Sequence, residues 1–263
     1  MRIIVKVGTS TLTHKSGHLN IRHVEMLCKV LADIKNAGHE VVLVSSGAIG
    51  MGVGKLNLSA RPDDMPGKQA AAAVGQCELM YIYDKLFSEY NHTVAQLLLT
   101  GEDLENTARH ENFVNTLNRL LALKVLPVIN ENDTVSTEEI SFGDNDTLGA
   151  LVAASVGADL LVILSDIDGL YTKDPRREKD ACLIPVVTEI TTEMEESAGG
   201  SGSALATGGM ATKLAAAKIA MAAGTDMVIM NGARPEDLYR LLDGEQVGTR
   251  FIGRRDNGQC CPD

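Results

Sequence analysis

Ile3-Ile-Val-Lys-Val-Gly-Thr-Ser10 opens the chain as a short apolar run that carries one lysine and breaks at a glycine. A Val/Ile run of this length reads as a buried strand, Ile3–Val7. Beyond it, Ile21, Val24, Leu27, Leu31 and Ile34 mark one face of a helix, with Asn20 placed to cap it and Gly38 to end it. Glu40–Val44 is a second strand-like run. Strand, helix and strand in that order form one crossover unit, which makes the two strands parallel. The alternation continues through strands Thr93–Leu99, Val125–Ile129, Leu160–Leu164 and Asp226–Met230. The helices fit Gly67–Tyr90, Asn106–Leu123, Thr147–Val156, Met210–Ala223 and Pro235–Leu242. The fold class expected is therefore α/β, a three-layer α/β/α sandwich with a mainly parallel open sheet.

Composition agrees. Apolar residues make up 44% of the chain, yet Trp is absent and there are only four Phe and five Tyr, so the core must be aliphatic. The formal charge of −11 argues against nucleic-acid binding and against an anionic membrane surface, both of which call for basic patches. An anionic small substrate remains compatible, because a local nest of N–H groups and lysines can oppose the overall field. Cys28, Cys77, Cys182, Cys260 and Cys261 form no CxxC pair or metal-ligand spacing, and Cys28 reads as a buried, reduced thiol. No secretory leader is evident and no apolar run reaches ~18 residues, so a cytoplasmic protein is expected.

In a parallel α/β protein, sites lie beyond the carboxyl ends of the strands. Five polar segments fall there. Lys6 with Gly8-Thr-Ser10 sets an ammonium beside a turn with free N–H groups and hydroxyls, which suits a phosphate, although an edge-strand lysine before an ordinary turn has the same sequence. It is not a Walker A loop, since Lys6 precedes its glycine. Val41-Val-Leu-Val-Ser-Ser-Gly-Ala-Ile-Gly50 can bring backbone N–H groups to a ligand oxygen, but it also reads as a plain glycine-rich connection. It lacks the spacing of a dinucleotide fingerprint, which weakens a nucleotide-dependent oxidoreductase. Pro127-Val-Ile-Asn-Glu-Asn-Asp133 and Gly143-Asp-Asn-Asp146 are Asx clusters able to bind an amino group or orient lysines, or simply to cap helices. Leu161-Val-Ile-Leu-Ser-Asp166, continuing to Pro175, could hold a nucleoside or be a long surface turn. Ala206-Thr-Gly-Gly-Met-Ala-Thr-Lys213 leads out of the glycine- and serine-rich stretch Glu195–Gly209 into a helix start that favours anions, or is a flexible loop with a helix cap and a solvated lysine.

Taken in order, VKVGTS, VSSGAIG, PGKQAAAAVGQ, PVINENDTV, FGDNDTLGA, LSDIDGLYTKDPR and TGGMATK resemble the amino acid kinase family. The resemblance covers Met1 to Gly253 and implies one kinase domain over residues 1–253. Arg254–Asp263 is left as a tail expected to be disordered, and the further C-terminal domain of RNA-binding type that many bacterial members carry is not expected. The NENDTV and GDND segments point to the branch that phosphorylates the side-chain carboxylate of L-glutamate with ATP and Mg²⁺, opening proline synthesis. Relatives acting on acetylglutamate, aspartate, carbamate or an isoprenoid phosphate are the alternative, and a catalytically silent sensor is the other.

By the same resemblance, Lys6 and Lys213 flank the transferring phosphoryl group and Asp146 holds both lysines. Ser46, Gly47, Asn130, Asp133 and Asn145 form the glutamate-binding set. Lys6, Gly8, Thr9, Ser165, Asp166, Thr207, Gly208, Gly209, Met210, Ala211, Thr212 and Lys213 form the nucleotide set, and no protein-held metal is implied. A homo-oligomer, dimer or tetramer, and feedback inhibition by proline are implied as well.

Overall fold

A computed structural model describes residues 1–14, 18–135, 144–198 and 209–254. In chain order it contains β1 (Arg2–Val7), α1 (Thr9–Leu12), α2 (Ile21–Asn36), β2 (Glu40–Ser45), α3 (Ala48–Lys55) and α4 (Met65–Ser88). Next come β3 (Val94–Leu99), α5 (Gly101–Glu105), α6 (Thr107–Ala122), β4 (Leu126–Glu131), α7 (Asn145–Ser155) and β5 (Leu160–Ser165). β6 (Val186–Val187), α8 (Thr192–Ala198), α9 (Met210–Ala222), β7 (Asp226–Asn231), α10 (Asp237–Leu242) and β8 (Thr249–Phe251) complete it. Among the described residues the strands form one eight-stranded sheet in the order β3-β4-β2-β1-β5-β7-β8-β6. Every pairing is parallel except β7 with β8. The expected α/β/α class holds. The antiparallel β8 and the two-residue β6 were not expected, because strands so short leave no periodic signal.

Strand alternation sorts the core into two layers. Ile3, Val5 and Val7 of β1 join Val41, Leu43, Val162 and Leu164 on one face, covered by α2, α4 and α10. Ile4 joins Val42, Val44, Leu161 and Ile163 on the other, covered by α6, α7 and α9. Each fully buried Val, Leu or Ile contributes about 1.5–3 kcal/mol of transfer free energy. Lys6 shares its face with Ile4, so its side chain runs into the α7 layer; a Cβ on Gly149 of α7 would lie 3.6 Å from Lys6 Cβ.

Local chemistry places the helix starts. The side chains of Asn20, Asp64 and Asn106 accept from the N–H of His23, Gly67 and Arg109, as N-caps do. α4 begins two residues before the expected Gly67, because Asp64 caps it and Pro66 occupies the first turn, where a missing N–H costs nothing. Cys28 is buried, and burial raises its thiol pKa, in line with an unreactive thiol. Arg254 still bonds Met221 O through its N–H at 2.9 Å, and the rest of the expected tail lies outside the described residues, as do residues 199–208 of the glycine-rich stretch.

α3 and α4 cross at backbone contact. A Cβ on Gly75 would stand 1.8 Å from Ala48 O, and one on Gly52 would stand 1.8 Å from Ala71 O. Neither obstacle is a movable side-chain tip. Gly75→Ala is therefore expected to lose about 3 kcal/mol, at the upper end of overpacking costs. Calorimetry should register a fall in Tm on the order of 10 °C; an unchanged Tm would mean that the two helices separate freely.

Candidate active site

β1 lies between β2 and β5, and the chain leaves it for opposite halves of the sheet, β2–β4 on one side and β5–β8 on the other. A crevice opens at such a switch point, beyond the strands' carboxyl ends. Lys6 stands at its floor. α7 and α9 both start there, and their first turns supply Asp146 and Lys213. Asp146 Oδ1 is 2.6 Å from Lys6 Nζ, and Oδ2 is 3.0 Å from Lys213 Nζ. Asp146 thus pairs each of its two oxygens with one of the two lysines.

The Asp146 side chain is 0% exposed. Burial alone would push its carboxyl up, but Lys6 and Lys213 outweigh that and hold it below the usual carboxylate range. Its backbone is fixed by Asp144, whose Oδ1 accepts from the N–H groups of Asp146 and Thr147, each at 3.0 Å. Thr212 adds a hydroxyl that donates to Gly209 O at 2.7 Å and reaches Asp146 Oδ2 at 3.4 Å. Two ammonium groups share one carboxylate, and both lysines line the crevice.

On the β2–β4 side, amides knit two strand ends together. Asn145 Nδ2 donates towards Ser46 Oγ (2.8 Å), Asn130 Oδ1 (2.9 Å) and Ser45 O (3.1 Å). Asn130 Nδ2 donates to Gln76 Oε1 at 2.8 Å, and Ser45 Oγ meets Tyr83 OH at 2.8 Å in the core. Gly47, at φ +104°, turns the chain from β2 into α3 in the left-handed region that suits glycine. Asp133 lies nearby; burial pushes its carboxyl up to about 6, Glu131 adds to that, and Arg61 opposes both.

Lys6, Lys213, Ser46, Gly47, Asn130, Asp133 and Asn145 line one cleft of about 480 Å³, together with Gly8, Thr9, Ser165 and Asp166. On the β5 side, Ser165 Oγ donates to Asp166 Oδ1 at 3.3 Å, and Asp166 pairs with Arg176 at 3.3 Å. Of the expected nucleotide run, Gly209 caps α9, Ala211 is exposed, and Met210 packs against the apolar layer instead of lining the cleft. Thr207 and Gly208 lie outside the described residues. Sequence reasoning missed Arg61, which sits in a stretch with the look of a solvated loop. It also passed over Gln76, although an amide in register with Ala72, Leu79 and Tyr83 on a buried helix face was a readable signal.

The sequence profile of the amino acid kinase family matches residues 1–231. The chain belongs to the amino acid kinase family. Among its relatives is a glutamate 5-kinase of Clostridium perfringens, 54% identical over 258 residues that cover 97% of this chain and 96% of the relative. A glutamate 5-kinase of Caldanaerobacter subterraneus is 55% identical over 252 residues, which cover 96% of this amino acid kinase and 68% of that longer chain. In fold it is similar to the carbamate kinase of Giardia lamblia bound to AMP-PNP, with a TM-score of 0.69 at 18% identity over 96% of this chain and 98% of that one. The resemblance read from the ordered motifs is borne out. Among the described residues of this amino acid kinase, no helix is long and apolar enough to cross a membrane.

Proposed function

We propose that this amino acid kinase transfers the γ-phosphoryl group of ATP to the side-chain carboxylate of L-glutamate, giving L-glutamyl 5-phosphate and ADP, the first step of proline biosynthesis. One observation carries the reading: the two lysines that clamp a buried carboxylate and the amides of an acceptor pocket line one cleft. Relatives named glutamate 5-kinase at 54–55% identity support it. A cytoplasmic location, homo-oligomeric assembly and feedback inhibition by proline go with this reading.

The acceptor carboxylate is ionised near neutral pH, so it attacks phosphorus without a general base. One P–O bond forms to glutamate as the bond to the ADP oxygen breaks, and no proton moves. The obstacle is repulsion between two anions. In this scheme Lys6 and Lys213 sit where negative charge grows on the transferring group, Asp146 aims them, and Gly8 and Thr9 line the phosphate path. Ser46, Gly47, Asn130 and Asn145 hold the acceptor, with Asp133 receiving its ammonium. Ser165, Asp166 and the run from Thr207 to Lys213 hold the nucleotide. Mg²⁺ would be carried on the phosphates of ATP. Asp144, whose buried Oδ2 has no partner among the described residues, lines the cleft as the carboxylate suited to meet that ion.

Purified enzyme with Mg-ATP, L-glutamate and hydroxylamine should accumulate γ-glutamyl hydroxamate. Much faster reaction with aspartate or acetylglutamate would overturn the substrate assignment.

The raised pKa of Asp133 gives a signed pH dependence. Below about 6 the free enzyme carries Asp133 neutral and loses its hold on the ammonium, so kcat/KM for glutamate should fall towards tenfold per pH unit. A bound ammonium lowers that pKa, so kcat should decline only at lower pH. Asp133→Asn should raise the glutamate KM and abolish this limb; persistence of the same limb in the variant would assign it to another group.

A further inference from the structure

Gln76 lies outside the cleft lining and has no part in the chemistry above, yet it is the one side chain on which the Asn130 amino group rests among the described residues. Its position is fixed by the helix crossing: Gly75, its neighbour, abuts Ala48 O at the start of α3, directly after Ser46 and Gly47. Gln76 itself is 9% exposed. Its Oε1 accepts from Asn130 Nδ2 at 2.8 Å, while its own Nε2 has no partner among the described residues. A leucine would remove that unpaired Nε2 but would leave the buried Asn130 Nδ2 without its acceptor, so the amide at 76 is matched to Asn130.

What it contributes is the sense of a neighbouring amide. Asn130 Oδ1 receives the N–H of Glu131 at 2.9 Å and Asn145 Nδ2 at 2.9 Å. Turned by half a rotation, Asn130 would set its amino group against both of those donors and its oxygen against nothing that donates. The Glu131 N–H favours that sense at the oxygen, and the Gln76 carbonyl secures it at the amino group by accepting Nδ2. Asn145 depends on that choice for one of its acceptors, and Asn145 adjoins Asp146 at the head of α7.

We propose that Gln76 is a positioning residue of the acceptor pocket, which holds the Asn130 amide in one sense and through it directs Asn145 towards Ser46 and the amino-acid substrate. The inference rests on the glutamate reading for its kinetic arm and is independent of it for its spectroscopic one.

Three variants of the full chain decide it. Gln76→Leu should raise the glutamate KM at least about tenfold and leave the ATP KM within about twofold, the mark of lost acceptor binding. Gln76→Glu keeps an oxygen facing Asn130 Nδ2 and should return the glutamate KM to within about threefold of the wild type. Leu79→Ala loosens the same helix without touching the amide chain, and should lower Tm while leaving the glutamate KM unchanged. In the ligand-free enzyme, ¹⁵N side-chain NMR should show slowly exchanging amide signals for Asn130 and Asn145, lost in Gln76→Leu and kept in Leu79→Ala. A glutamate KM in Gln76→Leu within twofold of the wild type, an equal rise in Leu79→Ala, or unchanged Asn145 protection in Gln76→Leu would each overturn the proposal. Should the wild type fail to phosphorylate glutamate, the substrate reading falls, and amide protection still decides the role of Gln76.

Discussion

Asp146→Asn is expected to destabilise the protein by about 3–5 kcal/mol, the cost of breaking a buried ion pair from one side, and to abolish measurable turnover. The substitution keeps volume and shape but removes the one carboxylate shared by two buried ammonium groups, whose side chains are 8% and 5% exposed. Lys6 and Lys213 then repel one another. Calorimetry should show the loss at neutral pH as a Tm drop on the order of 10 °C. Mg-ATP should stabilise the variant more than the wild type, because the polyphosphate supplies the missing negative charge. The acid limb should change as well. A carboxyl held below its ordinary value contributes stability that is full above about 4 and is lost as pH falls through the folded value, so the variant's stability should depend less on pH there. Wild-type Tm and turnover in Asp146→Asn would remove the clamp from both the fold and the chemistry.

Lys213→Ala should act on the rate instead. One ammonium remains paired with Asp146 at 2.6 Å, so no buried charge is left uncompensated and stability should change far less. The charge growing on the transferring group loses one of its two cations, and kcat should fall by roughly 10²–10³-fold, the scale for deleting one preorganised donor. The glutamate KM should stay near its wild-type value. Lys213→Arg should not restore the rate, since a planar fork does not reproduce a compact ammonium in a packed cavity. Full turnover in Lys213→Ala would assign the charge stabilisation elsewhere.

Much of this arrangement was legible in the sequence, and the exceptions share a physical cause. β1, β2, β5 and β7 announced themselves as short Val/Ile/Leu runs because buried parallel strands are apolar on both faces. α2 was readable from Asn20 to Gly38, since cap, periodic face and stop all agree. α3 was not: Ala-Ile-Gly-Met-Gly-Val-Gly-Lys carries three glycines, each unfavourable in a helix, and the helix forms because close packing on α4 outweighs propensity. β8 is invisible locally because three residues carry no period, and its place between β7 and β6 is set by pairing. In the site, Lys6 stood out as a lysine in an apolar strand, and the Asx clusters stood out by composition. Their meeting with Lys213 spans most of the chain, so only the ordered family motifs tied them together. Arg61 lies outside those motifs and Gln76 closes one of them, PGKQAAAAVGQ, without an assigned role; the place of Gln76 behind the cleft follows from how α3 and α4 cross.

Lys6 belongs to the strand that both halves of the sheet share. Its register is set by Val44 on one side and Ile163 on the other, so neither half can slip without shifting the ammonium. The acceptor-side groups on β4, on α4 and in the turn after β2 can therefore be exchanged as a set while β1, β5, α9 and the Asp146 turn of α7 keep the phosphoryl machinery intact. For an engineer this marks a seam along β1: new acceptors should be sought by redesigning one flank of the sheet, with the central lysine and its two neighbouring strands carried over unaltered.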